Sequence, residues 1–470
     1  MDAQVLAAEK PDALAASAPL IPPAPKVHAK DLKNLGAAWA MMRNMIGAWS
    51  ESGFDTLMIP YRFLGQPGLV VSDPAGVRHV LGAGAARYRR PYQMSRILRP
   101  IVGDGLLLTD GETWRRQRKA LAPAFTPKAV ETLLPHFIAA GQALTDGLAD
   151  HDRANLSETF HRATLDAVLR ALFSRSALGE GAHLAQIARD YLQGRANVNL
   201  FDLLARGPDD FGFAERPRRI QGARWMAAVG ALIDERKTAE PQRQGGDLLD
   251  SLLAARDEDG QALPDIEVRD QCGTMLAAGF ETTSRLLFWA AYLLALDPKT
   301  QTRIRAEILA FPPDKIRTLD DLSAWPLTRS VLLETLRLYP PAPTMSREAI
   351  AEDEVQGHRV SPGDVITISP WLIHRHRKLW DQPTAFLPER FLNHSSPWGV
   401  DAFIPFGAGA RICIGASFAM AESQILLGSL LSQFKVAMAD DRPVVPVAKI
   451  SLGPDREPDF TLTPITQTRP

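Results

Sequence analysis

Residues 406–415 place one of the only two cysteines of the chain in a glycine-rich loop. Gly407 and Gly409 have no Cβ atom, so the backbone can turn tightly and approach a flat partner closely. The apolar run from Ile414 onward predicts a buried helix. Cys413 then precedes a helix N-terminus, where free N–H groups and the helix dipole favour an anionic sulfur. We therefore expect the pKa of the Cys413 thiol to be lowered and the loop to present a thiolate ligand.

Two further residues of the loop fit a ligand site. Phe406 can cover the sulfur, and Arg411 keeps its proton and can bind an anion with its planar guanidinium. Gly-x-Gly turns also occur in dinucleotide sites, but residues 407–409 lack a third glycine and a strand-helix-strand setting. A free cysteine is often a small packing residue. For Cys413 that alternative stays open, although the whole pattern disfavours it.

The loop resembles the haem-binding motif of the cytochrome P450 family, F-x-x-G-x-R-x-C-x-G. All fixed positions are met, by Phe406, Gly409, Arg411, Cys413 and Gly415. The resemblance implies that Cys413 is the axial ligand of the iron of haem b. It also implies that Arg411, Phe406, Gly407 and Gly409 contact the cofactor.

The same resemblance implies a fold class. We expect a mainly α chain with a small β-rich part, forming one large domain. The haem would lie between a long central helix and the helix that follows the cysteine.

Length and composition are compatible with that fold. The chain has 470 residues, more than one hydrophobic core usually holds, yet it shows no clear linker after about the first thirty. We predict a domain over residues 27–470 and a flexible leader over residues 1–26. Residues 21–25 could instead dock in extended form. The leader lacks a targeting pattern and an apolar run able to span a bilayer, so we expect no membrane anchor.

Charge and cysteine content exclude several protein classes. A net charge of −1 and 46% hydrophobic residues fit neither a nucleic-acid-binding protein nor a disordered chain. Cys272 and Cys413 are too few for a disulfide framework. We therefore expect a cytoplasmic protein.

Helical periodicity dominates the chain. The predicted helices are residues 32–50, 128–150, 155–172, 184–205, 216–237, 248–255, 266–296 and 327–339. The predicted strands are residues 68–72, 355–360 and 364–368. Residues 376–405 are rich in proline and aromatic residues, which predicts an irregular but packed meander.

The helix over residues 266–296, with Asp265 as its predicted N-cap, contains a weak point. Gly279 costs a helix interior about 1 kcal/mol relative to alanine, and the Thr282 hydroxyl can bind the carbonyl of Gly279 or Ala278. We expect a local opening that admits O2 and an ordered water, with Thr282 binding them and Glu281 as a proton route. The alternative is a structural weak point in which Glu281 pairs with an arginine.

This segment resembles the (A/G)-G-x-(D/E)-T-(T/S) motif of P450 monooxygenases, through Ala278, Gly279, Glu281, Thr282 and Thr283. Family members that use or rearrange peroxides commonly lack the acid and alcohol. A glutamate at the acid position is similar to the fatty-acid-hydroxylase and microsomal-like branch. The resemblance therefore favours an O2-dependent monooxygenase. A peroxide-driven or isomerising enzyme and a non-catalytic haem-binding protein remain as alternatives.

The resemblance also implies partners and a substrate class. The short stretch after Cys413 is expected to leave no room for a fused reductase. Electrons would then come from a ferredoxin-type or flavodoxin-type donor with its reductase. The expected substrate is a hydrophobic small molecule such as a fatty acid, terpenoid or steroid.

Further motifs of the family supply structural residues and propionate ligands. Glu334 and Arg337 are spaced i,i+3 and match E-x-x-R, with Arg390 as the third member of a buried network that fixes the meander. Trp114 and Arg118 match W-x-x-x-R and would bind a haem propionate, as would Arg347. Three neighbouring cations would face away from the haem, toward an acidic electron donor: Arg115, Arg116 and Lys119.

The expected substrate pocket is almost entirely apolar, with Thr344 as its exception. Its residues are Leu106, Leu107, Ala277, Ala278, Ala342, Thr344, Met345 and Leu452. Arg90, Arg96 and Arg99 are either anchors for a substrate carboxylate or plain surface charges.

Overall fold

The computed structural model describes residues 18–176, 215–238, 247–256, 260–392 and 402–465, and eight separate residues between 184 and 207. The described helices are α1 (Asn34–Arg43), α2 (Pro74–Arg78), α3 (Tyr92–Val102), α4 (Gly111–Leu121), α5 (Pro127–Glu131), α6 (Leu134–Asp146), α7 (Leu156–Phe173), α8 (Glu215–Thr238), α9 (Leu248–Ala254), α10 (Asp265–Leu296), α11 (Pro298–Ala310), α12 (Pro326–Leu338), α13 (Pro370–Ile373) and α14 (Ala416–Gln433). The described strands are β1 (Met58–Phe63), β2 (Gln66–Val71), β3 (Tyr88–Arg89), β4 (Arg153–Asn155), β5 (Met345–Ala349), β6 (Asp353–Val355), β7 (His358–Val360), β8 (Val365–Ile368), β9 (Phe434–Met438), β10 (Pro446–Ala448), β11 (Leu452–Pro454) and β12 (Asp459–Pro464).

Helix α10 runs through the centre of the molecule. Residues on all of its sides between Leu286 and Leu294 are buried, as expected for a helix enclosed by others. It packs against α7, α8, α12 and α14. The predicted fold class, a mainly α single domain with a small β-rich part, is confirmed.

Four small sheets complete the fold. The largest has the strand order β1-β2-β8-β5-β3, in which only the β2–β8 pair is parallel. A second sheet has the order β4-β12-β9, and β6-β7 and β10-β11 are two-stranded hairpins. Strand β5 carries Arg347 toward the candidate site.

Two predicted helices are shorter than expected. The helix predicted over residues 32–50 ends at Arg43, because Asn44 is extended and its side chain binds the Pro446 carbonyl and the Ala448 N–H at 3.0 and 2.8 Å. The helix predicted over residues 128–150 is divided into α5 and α6. Contacts between residues that are far apart in the sequence, such as those of Asn44, are not visible in hydrophobic periodicity.

Two local details also differ from expectation. The strand predicted over residues 355–360 is a hairpin, because Gln356 and Gly357 both have positive φ and turn the chain between β6 and β7. Asp265 is the first residue of α10 rather than its N-cap, and its carboxylate pairs with Lys237 at 2.5 Å.

The remaining predicted helices over described residues agree within two residues at each end. The helix predicted over residues 184–205 lies mostly outside the described residues. Predicted strands 68–72 and 364–368 correspond to β2 and β8. The meander contains a short 3₁₀ turn, Pro388–Phe391, and its residues 393–401 lie outside the described part.

Part of the predicted leader packs against the domain. The Leu20 carbonyl accepts a hydrogen bond from the Phe386 N–H at 2.8 Å, and the Pro23 carbonyl accepts one from the Tyr339 hydroxyl at 2.8 Å. The expectation of a flexible leader is therefore wrong for residues 20–25, where the docked alternative holds. Residues 1–17 lie outside the described part. No described helix combines the length and apolar content needed to cross a bilayer.

A fully buried ion pair joins α12 to the meander. Arg337 donates two hydrogen bonds of 2.7 Å to Glu334, and both side chains have no exposed surface. Arg390 lies 3.5 Å from the same carboxylate. Glu334 also accepts the Leu387 N–H at 2.9 Å. The three residues predicted to form one network do so.

The guanidinium of Arg337 also binds the meander backbone directly. It donates to three carbonyl oxygens at 2.6–2.8 Å, those of His374, Pro383 and Ala385. The buried His374 ring accepts the Ile404 N–H at 2.9 Å through Nε2. Burial, together with the charges of Arg337 and Arg375, lowers the pKa of His374 to about 3, so the ring is neutral. The network thus reaches the start of the cysteine loop.

A second buried acid, Glu422, lies on α14 beside α10. Its side chain has no exposed surface, and its oxygens have no hydrogen-bond partner among the described residues. Burial raises the pKa of Glu422 well above its usual value, and the Thr283 contact opposes this only weakly. The Glu422 carboxyl group therefore keeps its proton to a higher pH than an ordinary glutamic acid does.

The ion pair leads to a stability prediction. Glu334→Ala strands the Arg337 charge in the core and is expected to cost about 3–5 kcal/mol. Arg390→Ala removes a more distant, partly exposed partner and is expected to cost about 1 kcal/mol or less. Urea unfolding followed by circular dichroism measures both. Equal losses for the two variants would contradict the assignment of Glu334 as the hub.

Glu422 leads to a pH-dependent prediction. Because the folded state keeps a proton that the unfolded state has released above about pH 4.5, wild-type stability falls as pH rises, by up to about 1.4 kcal/mol per pH unit. Glu422→Gln needs no proton, so its stability advantage over wild type should grow between mildly acidic and mildly alkaline pH. The exposed Glu354→Gln is the control. An advantage independent of pH would show that Glu422 is ionised.

Candidate active site

The loop before α14 holds Cys413 at a partly open surface. The Cys413 N–H donates to the Phe406 carbonyl at 2.9 Å, which closes the loop. The Gly415 N–H points at the Cys413 sulfur as a donor. The Cys413 side chain borders open space, although neighbouring protein atoms are close enough to desolvate its thiol, whereas Cys272 is buried. The sulfur predicted as a ligand is therefore the accessible one.

The two loop glycines have different reasons to be glycine. Both have left-handed backbone angles, with φ of +75° at Gly407 and +69° at Gly409. A Cβ atom on Gly409 would lie 1.9 Å from the Leu81 carbonyl oxygen, whereas one on Gly407 would meet no atom within 4 Å. Gly409 thus allows close approach to the segment His79–Ala83, and Gly407 borders open space beside Cys413.

The expectation of a lowered thiol pKa is wrong for the free thiol. Desolvation raises the pKa of Cys413, while the Gly415 N–H and the charge of Arg118 lower it by less. The features predicted from the helix N-terminus are present but are outweighed by burial. A bound metal ion deprotonates a coordinating thiol outright, so the loop is suited to hold a thiolate only together with a cation.

Three arginines converge near the loop with only one carboxylate among them. Burial and the charges of Arg347 and Arg411 lower the pKa of Arg90 to about 9. Burial and Arg411 lower the pKa of Arg347 to about 10. Arg411 binds Asp110 at 2.5 Å and lies over the Trp114 ring at 4.4 Å.

This cation cluster fits the haem that the sequence resemblance implies. Three guanidinium groups and one carboxylate leave two uncompensated positive charges, and haem b carries two propionates. The Arg90 Nε is buried and has no hydrogen-bond partner among the described residues, and such a donor calls for an acceptor. Arg90, Arg347 and Arg411 would hold the propionates, and Cys413 would supply the thiolate.

Helix α4 presents its two predicted haem residues toward this region. Trp114 stacks under Arg411, and Arg118 is near enough to Cys413 for their charges to interact. Of the other cations of α4, Arg116 differs from expectation. Arg116 points to α10, where it binds the Glu267 carboxylate at 2.7 and 3.0 Å. Arg115, paired with Glu112, and Lys119 are the exposed cations of this helix.

A face of α10 carries the predicted oxygen-binding residues. The Thr282 hydroxyl donates to the Ala278 carbonyl at 2.7 Å, which is one of the two bonds expected from the sequence. Ala278 is exposed and Thr282 half-buried, so both border open space. The helix nevertheless continues without interruption through Gly279. The expected local opening is therefore not present, although the competing hydroxyl bond is.

Glu281 points away from that open face. Its carboxylate is bound to His161 Nε2 at 2.7 Å, to Arg285 Nε at 3.0 Å and to the Ser451 hydroxyl at 2.6 Å. Burial raises the pKa of Glu281, but the charges of Arg285 and His161 and the hydrogen bonds from His161 and Ser451 together lower it by more, so the pKa is lowered overall. The sequence left open an alternative in which Glu281 pairs with an arginine, and that arginine is Arg285.

The predicted pocket residues have unequal exposure. Leu106, Leu107, Thr344 and Met345 are half-buried, Ala278 and Ala342 are exposed, and Ala277 is buried. Leu452 has no exposed surface, because its backbone is bonded to Pro341 and Trp289 and its side chain lies in the core. Its burial does not support a place for Leu452 on an open pocket wall.

Side chains of α10 hold the loop that carries Leu106 and Leu107. The Leu106 N–H binds Gln271 at 3.0 Å, and the Asp104 N–H binds Asp270 at 2.8 Å. A Cβ atom on Gly105 would lie 2.1 Å from the Thr274 hydroxyl. This wall of the site is therefore fixed against the central helix.

The three arginines that precede Leu106 in the sequence lie in different environments. Arg90 joins the cluster near the cysteine loop, and Arg99 is an exposed partner of Asp104 at 2.6 Å. Arg96 is buried and lies 3.1 Å from Glu215 and 3.8 Å from Asp202. The surface-charge alternative thus holds for Arg99 only.

Sequence reasoning missed several residues of the site. Glu422 interrupts an otherwise apolar helix, a signal that was visible in the sequence. His161, Ser451 and His374 lie far along the chain from the residues they contact, and no local pattern marks them.

Comparisons with known proteins agree with this geometry. The family model for cytochrome P450 matches residues 57–457. Pentalenene oxygenase of Streptomyces avermitilis is 32% identical over 443 residues, covering 91% of this chain and 95% of the relative. Cyclooctat-9-en-7-ol 5-monooxygenase of Streptomyces melanosporofaciens is also 32% identical, covering 72% of this chain and 74% of the relative.

A solved structure has the same fold. The retinoic acid-bound cyanobacterial CYP120A1 superposes with a TM-score of 0.79 at 24% identity, over 95% of this chain and 100% of the other. With the family match over most of the chain and relatives named as oxygenases, the conclusion is that this chain belongs to the cytochrome P450 family as a monooxygenase.

Proposed function

We propose that this P450 inserts one atom of O2 into a C–H or C=C bond of a hydrophobic small molecule, with haem b bound through Cys413. The reaction consumes two electrons and two protons and releases the second oxygen atom as water. The observation that carries the proposal is the exposed Cys413 thiol, flanked by Arg118 and by a cluster of arginines that has two positive charges in excess.

The haem iron would supply O2 binding and activation, assisted by electron density from the thiolate. The chain's own residues would provide the surroundings. Thr282 lies at the open face of α10 with a hydroxyl that can exchange its Ala278 partner for a ligand. Glu281 is proposed to supply protons toward that hydroxyl. Leu106 and Leu107 would form an apolar wall that orients the substrate.

The proposed substrate is a terpenoid, fatty acid, steroid or similar molecule. Two of the relatives bear names of terpenoid oxygenases. The half-buried pocket residues are apolar apart from Thr344, whose hydroxyl is 3.4 Å from Ser369 Oγ. Such a pocket binds by burial of apolar surface more than by charge.

Electrons are proposed to come from a ferredoxin-type or flavodoxin-type donor with its reductase. Arg115 and Lys119 are exposed on α4, the helix that also carries Arg118 near Cys413. An acidic donor would therefore meet positive charge close to the thiolate. The two free cysteines favour a reducing cytoplasm.

The alternatives are a peroxide-driven or isomerising enzyme and a non-catalytic haem protein. A panel of fatty acids, terpenes, steroids and aromatics, read by the shift of the haem Soret band, identifies a substrate. Product formed with NAD(P)H and a ferredoxin chain supports the monooxygenase. Product formed only with peroxide contradicts it, and no spectral shift across the panel favours a non-catalytic protein.

Thr282 should control how efficiently reducing equivalents become product. In Thr282→Ala we expect product per O2 consumed to fall by about tenfold or more, with the lost oxygen released as hydrogen peroxide, because proton delivery is worth at least that factor. Thr282→Ser keeps the hydroxyl and should retain most of the coupling. Unchanged coupling in Thr282→Ala would remove this residue from the mechanism.

Arg90 should bind haem although no motif marks it. Arg90→Ala removes a charge-assisted hydrogen bond, so we expect haem affinity to fall by roughly tenfold to a hundredfold. The measurement is the transfer of haem to an excess of a high-affinity acceptor protein. Arg99→Ala, which removes an exposed arginine, is the matched control. Equal haem loss from the two variants would place Arg90 outside the propionate site.

A further inference from the structure

The ion network behind α10 contains a histidine with both ring nitrogens engaged. His161 Nδ1 lies 2.8 Å from the Ser157 carbonyl oxygen, one turn earlier on α7. His161 Nε2 lies 2.7 Å from Glu281 Oε2. The histidine and the glutamate are both 6% exposed. Water therefore does not compete for these contacts.

These two contacts fix where the hydrogens are. A carbonyl oxygen only accepts hydrogen bonds, so Nδ1 must carry a hydrogen. Nε2 and the carboxylate oxygen both have lone pairs, and they approach to 2.7 Å only when a proton lies between them. The pair of His161 and Glu281 therefore holds one transferable proton.

The surroundings place that proton on the imidazole. The Glu281 carboxylate also accepts hydrogen bonds from Arg285 and Ser451, which stabilise its charged form. Although burial acts in the opposite direction, the pKa of Glu281 is lowered overall. These donors hold Glu281 as the carboxylate, which leaves the shared proton of the 2.7 Å contact on His161 Nε2.

We propose that His161 is the proton store of this site and acts through Glu281, an inference that rests on the proposed monooxygenase function. In the transfer the Nε2–H bond of His161 breaks and an O–H bond forms on Glu281 Oε2. His161 is left neutral with its hydrogen on Nδ1. The Glu281 carboxyl group must then turn from this network to the face of α10 that carries Thr282, where it releases the proton and becomes a carboxylate again. The histidine does not touch the reacting atoms and is a positioning and supplying residue.

Ser451 completes the unit as its route of refilling. Among the described partners of Glu281, Arg285 does not release its proton, and His161 Nδ1 is blocked by a carbonyl. Ser451 is half-buried, and its hydroxyl lies 2.6 Å from Glu281 Oε1. The hydroxyl donates its hydrogen to the carboxylate and takes one from water, and the carboxyl proton then returns to His161 Nε2.

The polar and charged groups around the pair of His161 and Glu281 come from helix α10, from the β10-β11 hairpin and from the segment between β11 and β12. Helix α10 contributes Arg285 beside Glu281, and the β10-β11 hairpin contributes Ser451. Glu457 acts indirectly, since it accepts from the Ser157 hydroxyl at 3.3 Å, and that hydroxyl accepts from Arg285 at 3.5 Å. The Phe280 ring, 6.2 Å from the imidazole, covers an apolar side.

The test uses His161→Gln in the holoenzyme with its redox chain and a substrate selected from the panel. Glutamine can still donate a hydrogen bond to Glu281 but carries no transferable proton. We expect product per O2 to fall by about tenfold and the solvent deuterium isotope effect to rise. Peroxide-supported turnover should not change, because peroxide brings its own protons.

One control variant and two possible outcomes separate this proposal from a purely structural ion pair. His151→Gln replaces an exposed histidine after α6 and should behave as wild type. If His161 has only a structural role, His161→Gln should show the coupling and the isotope effect of the wild type. That result would overturn the proposal. Loss of thermal stability without a changed isotope effect would overturn it as well.

A spectroscopic measurement is independent of turnover. In the reduced, carbon monoxide-bound protein labelled with ¹⁵N-histidine, the signal absent from His161→Gln should show both ring nitrogens protonated at neutral pH, and Glu281→Gln should convert it to a neutral ring. A neutral His161 in the wild type would overturn the proposal. If the wild type forms no product with any redox chain, the proposed function fails, and this spectrum still decides the state of His161.

Discussion

The buried pair of Glu334 and Arg337 is the interaction on which the geometry of the site depends. Burying two charges is expensive unless every polar atom is bonded, and here the guanidinium binds the carboxylate and three meander carbonyls. The neutral His374 ring passes this constraint to Ile404, two residues before Phe406. The cysteine loop is therefore positioned from a core that water does not reach.

Burial has opposite consequences on the two sides of α10. Near the loop it raises the pKa of the Cys413 thiol and lowers the pKa of Arg90 and Arg347, so the chain alone carries uncompensated cations and an uncharged sulfur. A thiolate-bound cation with two carboxylates would relieve both. Behind α10, Glu281 has enough donors to remain charged. The number of partners that each buried group has thus determines the affinity for a ligand near the cysteine loop and the storage of a proton behind α10.

The sequence predicted what depends on local pattern. It located the long helix, the E-x-x-R pair and the Thr282 to Ala278 bond, because helical spacing determines these contacts. It did not predict the side-chain bonds that end α1 at Asn44, or the direction of the Glu281 carboxylate. Those depend on partners hundreds of residues away, which periodicity cannot reveal. The thiol pKa was wrong in direction because the helix N-terminus was weighed without the cost of desolvation.

The most direct test of the account is the absorption spectrum of the purified protein, reduced and exposed to carbon monoxide. The account predicts the red-shifted Soret band of a thiolate-bound iron in the wild type and in Cys272→Ser, and its loss in Cys413→Ser. A wild-type spectrum without that band, or its persistence in Cys413→Ser, would contradict the assignment of Cys413 as the axial ligand.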